Sequence, residues 1–183
     1  MPLYQIYHSY PLSQEQKQVL ATSITTLHAT TFTTPSFFVH VRFIPEDSAG
    51  VNYFMAGKPH QNNANRVVGI VRVSEKRSKS DFDALGEKIE KAWYDAVKGS
   101  SGDEEETALE QDEDGKRLIM VTFTPMITIR ENGMLIPEAG GEAAWLKEHI
   151  GHIKLMSEGE GIRDFGDMLE EFNTREDLKG WLQ

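Results

Sequence analysis

Residues 66–97 read RVVGIVRVSEKRSKSDFDALGEKIEKAWYDAV, and the change of rhythm inside this stretch decides the fold. Residues 66–73 are apolar and β-branched over the length of a strand. From 80 to 97 the apolar residues Phe82, Leu85, Ile89, Trp93 and Ala96 instead return every three or four positions, the period of one helical face. A further strand is expected at 117–123 (RLIMVTF), so the segment reads strand, helix, strand. The same unit stands upstream. LYQIYH at 3–8 is a strand, and Ser13 with Gln16 forms a capping box that opens a helix with Leu20, Ile24 and Leu27 on one face. FFVHVRF at 37–43 alternates Val39, Val41 and Phe43 against Phe38, His40 and Arg42, as a strand does. Two such units predict an α+β fold, a four-stranded sheet with both helices on one face. The strands read as apolar on both sides, so the bare face is expected to pack on other subunits in a closed homo-oligomer.

The chain has 183 residues, enough for one domain with an extension. No apolar run approaches the roughly 20 residues of a membrane span, and the start lacks the basic and apolar pattern of a signal peptide. With no cysteine there is neither disulfide nor thiolate metal site, which agrees with a cytoplasmic setting. A net charge of -10 argues against nucleic-acid binding. Much of it sits in DEEETALEQDED at 103–114, within a segment of about 99–115 expected to be a solvated, mobile loop. A hairpin is expected within Pro125–Pro137 and a helix over Glu142–Ile150. Beyond them Phe165, Met168, Leu169 and Phe172 recur at helical spacing. Residues 1–150 thus read as the main domain, and 151–183 as an extension that clasps its own or a neighbouring subunit.

Several side chains carry chemistry. Pro2 follows Met1, and removal of Met1 would expose a secondary amine that can act as acid or base, with an ordinary pKa near ~8. Arg72 ends the strand at 66–73 on the side of Val68 and Ile70, and Arg77 follows beside Lys76 and Lys79. Such a pair suits bidentate capture of a carboxylate, although basic loops also serve solubility. His28 borders the apolar face of the first helix, either as a helix-end group or as a donor to a substrate oxygen. Glu131, in IRENG, is either a hairpin-tip acid or a group that orients water. His149 and His152, with Glu148 adjacent, place two imidazoles on one helical face as a metal option, against which Gly151 disfavours a continuous helix.

Taken in order, Met1-Pro2, SITTLHATT with His28, GIVRVSEKRS with Arg72 and Arg77, and RLIMVTFTPMITIRENGMLIPEAGGEAAW with Glu131 resemble the tautomerase superfamily, specifically its cis-3-chloroacrylic acid dehalogenase-like group. The resemblance spans about residues 2–150. It implies a homotrimer whose N-terminal proline lies in a pocket with two arginines, a helix histidine, a tyrosine and a glutamate, falling here on Pro2, Arg72, His28 and Glu131. The second arginine falls on Arg77, with Lys76 as a substitute. The tyrosine position falls on Thr122, whose hydroxyl is shorter, which counts against efficient dehalogenation. The implied activity needs no cofactor: keto-enol tautomerisation, or hydration of an unsaturated acid, on a small carboxylate substrate. The alternative is a non-catalytic trimer that binds partners through its acidic loop or tail.

Overall fold

A computed structural model of the chain describes residues 1–46, 52–60, 64–98 and 113–182. The first unit comprises β1 (Leu3–His8), α1 (Gln14–Thr31), a 3-10 turn (Ser36–Phe38) and β2 (His40–Pro45). A small hairpin, β3 (Phe54–Met55) and β4 (Lys58–Pro59), leads to the second unit: β5 (Asn65–Val71), α2 (Lys79–Val97), α3 (Glu113–Lys116) and β6 (Leu118–Pro125). There follow a hairpin of β7 (Arg130–Glu131) and β8 (Met134–Leu135), then α4 (Glu142–Lys154), a π-helical turn (Leu155–Gly159) and α5 (Arg163–Thr174). Most of the acidic segment, residues 99–112, lies outside the described residues.

The long strands stand in the order β2-β1-β5-β6. β1 runs parallel to β2 and antiparallel to β5, which runs parallel to β6. Each strand-helix-strand unit therefore supplies one parallel pair, and the two units join along the antiparallel β1–β5 pairing. Both long helices open on capping boxes, Ser13 with Gln16 and Ser78 with Asp81. Leu20 and Ile24 of α1 and Phe82, Leu85, Ile89 and Trp93 of α2 bury against Tyr4, Ile6, Val67 and Val71 of the sheet. Burial of the last four alternates with half-exposed neighbours, so the helices cover one face only.

Gly69 sets how closely this layer packs. A Cβ there would stand 2.8 Å from Phe123 and 3.0 Å from Tyr4. Gly69→Ala is expected to cost about 1–3 kcal/mol through overpacking, read as a lower midpoint of urea unfolding.

The opposite face differs from expectation. It carries Leu3, Val68 and Ile70, but also Gln5, Arg42 and Thr122 across the same strands, so it is mixed rather than apolar. The strand expected at 37–43 begins only at His40, because Phe38 turns through the 3-10 segment into a second core. That core holds Met1, Phe38, Met134, Ile136, Trp145, Phe165, Met168 and Phe172. The C-terminal helices thus fold over the start of their own chain, and α4 runs through residue 150 without a break. Arg175 fixes the arrangement by donating to the Thr34 carbonyl (2.9 Å) and to Glu171 (2.6 Å), whose carboxylate caps the Ser36 amide (2.8 Å).

Candidate active site

The centre of the site is the chain start. Met1 is 2% exposed and Pro2 is buried, with the Pro2 carbonyl accepting from the His40 amide at 3.0 Å. Burial, with the charges of Arg72 and Arg77, lowers the pKa of the terminal amine to about 5, against an opposing pull from Glu142 and Glu131. Both arginines and Glu131 therefore lie within electrostatic reach of the chain start.

The arginines come together through a tight turn. The chain leaves β5 after Val71 and doubles back at Ser74–Arg77, where the Arg77 amide donates to the Ser74 carbonyl at 3.0 Å, before α2 begins. Lys76 is exposed, whereas the guanidiniums of Arg72 and Arg77 are both buried. Between them stands a residue that sequence reasoning missed. Oε1 of Glu142 accepts from Arg72 Nη2 at 2.7 Å and from Arg77 Nη2 at 3.0 Å, while its Oε2 accepts from the Gly140 amide at 2.7 Å. Arg72 Nη1 also donates to the Pro137 carbonyl. One carboxylate against two guanidiniums leaves the cluster with a single positive charge.

His28 is 1% exposed, and its Nδ1 lies 2.8 Å from the Tyr4 hydroxyl. Burial first, then Arg77, the terminal amine and Arg72, pull its pKa down to about 3, so the imidazole is neutral across the physiological range. Burial raises the pKa of Tyr4, which stays protonated.

Glu131 is placed by a two-residue turn. Asn132 and Gly133 both have positive φ (47° and 80°), as a type I′ hairpin requires, and β7 thereby presents Glu131 to His40 at 3.2 Å. That hydrogen bond raises the His40 pKa. His40, Met1, Pro2 and Glu131 line a cavity of about 200 Å³. Three buried atoms of this neighbourhood, Arg72 Nε, His28 Nε2 and Glu131 Oε2, have no protein hydrogen-bond partner, which suits groups that meet a ligand.

A family model with the description "Putative oxalocrotonate tautomerase enzyme" matches residues 1–149, most of the chain. The chain belongs to the tautomerase superfamily. Its fold is similar to that of N1, a member of the cis-3-chloroacrylic acid dehalogenase family, at 22% identity and a TM-score of 0.56, over 78% of this chain and 89% of that one. It is also similar to a protein described as a probable enzyme from the thermophilic fungus Aspergillus fumigatus, at 25% identity and a TM-score of 0.53, over 81% and 94%. A fused 4-OT wild type symmetric trimer matches at 15% identity and a TM-score of 0.51, over 75% and 98%. No curated protein matches the chain.

Membership makes this a tautomerase-type enzyme, and its site can be set beside the sequence reading. Pro2, Arg72, Arg77, His28 and Glu131 gather around the chain start. Thr122 pairs with Val68 on the sheet face away from the helices. As to the metal option, α4 continues through Gly151, so the helix break expected there does not occur; His149 stacks on Trp145 and donates to its carbonyl, and no group of three or more His, Asp or Glu side chains that could hold a metal ion exists among the described residues. Among the described residues no helix is long and apolar enough to cross a membrane. Two residues went unread, Glu142 and His40. The signal for Glu142 was an acid directly after Gly140-Gly141, which by itself reads as ordinary charge at a helix start; His40 looked like a polar strand position.

Proposed function

We propose that this tautomerase catalyses keto-enol tautomerisation of a small carboxylate, with the Pro2 amine, exposed by loss of Met1, as the base. The observation that carries the reading is a buried chain start whose amine feels the charges of both arginines and of Glu131. The same surroundings that lower the pKa of the Met1 amine act on an amine one residue further in, and a neutral amine removes a proton from carbon and returns it. This favours tautomerisation over hydration, which needs the amine protonated.

The remaining groups have roles in the same reading. Loss of Met1 vacates an apolar space beside the guanidiniums, and a substrate enters with its carboxylate toward Arg72, whose Nε offers an N–H. In this reading Tyr4 donates to Nδ1, so that the neutral His28 carries its proton on Nε2 as a donor for the enolate oxygen. Glu131, held by His40, orients the reacting end. Thr122 reaches a site only across a subunit boundary, through the trimer that the family fold favours.

The test is ketonisation of aryl and alkyl enols of 2-oxo acids across pH. Because the neutral amine is the active form, kcat/KM should rise with pH through an acidic limb well below 8, the ordinary amine value, and level off above it. No acceleration over buffer, or a limb near 8, would reject the reading.

A further inference from the structure

A second cavity, of about 520 Å³, opens next to the proton-transfer site and shares His40 and Glu131 with the smaller one. Its far wall is α5, which lies wholly beyond the residues that match the family. The wall is of two kinds. Phe37, Ile162 and Met168 give it apolar surface, and Asp164, Asp167 and Glu171 give it negative charge. Glu171 is spoken for by Arg175 and the Ser36 amide, whereas Asp164 and Asp167 are exposed side chains on the cavity edge, the latter 3.5 Å from Arg163. The arginine pair lines neither cavity while Met1 is in place, but it acts on the terminal amine and, already holding Glu142, has charge left for one further carboxylate. The partnerless Oε2 of Glu131 lies where the two cavities meet.

Resting on the proton-transfer reading, we propose that α5 completes a substrate subsite selecting a monocarboxylate with an apolar, aryl-type tail free of negative charge. The carboxylate goes to the arginines, the reacting carbon stands at Pro2 and Glu131, and the tail lies along Phe37 and Met168. A second carboxylate at the tail would face Asp164 and Asp167. This separates the chain from a site for oxalocrotonate, the compound in the family's description, which carries two carboxylates.

The test uses non-reacting ligands on the full chain. Dissociation constants are measured by titration calorimetry at low salt for 3-phenylpropionate and 3-(4-carboxyphenyl)propionate. The first should bind about tenfold or more tightly, the scale of one or two like-charge contacts near a protein surface. In Asp164→Asn/Asp167→Asn the gap should close to about threefold or less. Asp83→Asn/Asp95→Asn removes the same charge from the exposed side of α2 and should leave the gap as it was. Equal binding of the two ligands, no binding of 3-phenylpropionate, or a gap that the α5 variant does not narrow would overturn the proposal. Selective binding without enol turnover would sink the proton-transfer reading and leave the subsite standing. Turnover without selectivity would do the reverse.

Discussion

Glu142→Ala should be the most destabilising single change at the site, costing about 3–5 kcal/mol in chemical unfolding, because it strands two buried guanidiniums beside one another. The carboxylate and both arginines are nearly inaccessible to solvent, so water screens neither the attraction nor its loss. Glu142→Gln separates charge from shape. It keeps an acceptor for the Gly140 amide and should destabilise less than alanine, while the freed guanidinium charge should tighten 3-phenylpropionate about tenfold, the worth of one charge contact. If Glu142→Ala unfolds like the parent chain, the carboxylate is not what holds Arg72 and Arg77 in place.

The second large effect concerns the first residue. With Met1 in place, the Pro2 nitrogen is an amide and cannot take a proton, and the Met1 side chain fills the apolar space beside the arginines. A chain forced to keep Met1, or one carrying an added residue before Pro2, should lose about 10²–10⁴-fold in kcat/KM for enol ketonisation, the range for removing a general base. In the chain that keeps Met1, the terminal amine ties stability to pH. A folded pKa near 5 against the ordinary 8 means the unfolded chain binds more protons between those values, so this contribution is fully present above pH 8 and is lost as pH falls through 5.

Much of this was legible along the chain, for reasons that differ by element. The sheet and its two helices were read correctly because their signals are local: short apolar runs in LYQIYH and RVVGIVRV, helical spacing from Phe82 to Ala96, and the capping box at the start of α1. Asn132-Gly133 announced the turn that carries Glu131. Phe38 misled, since its place in an alternating run says nothing of the second core that draws it out of β2. Glu142 could not be found by spacing, because its role is made by contacts 65 and 70 residues away. The cavity wall on α5 was hidden for the same reason: Phe165, Met168 and Phe172 show a buried stripe, while the acids that edge the cavity look like any solvated face.

Catalysis by the nitrogen of Pro2 is checked by intact mass measured on active protein. The species turning over enol should lack Met1, with activity tracking the processed fraction when the two forms are separated. Equal turnover by the separated form that retains Met1 would contradict it.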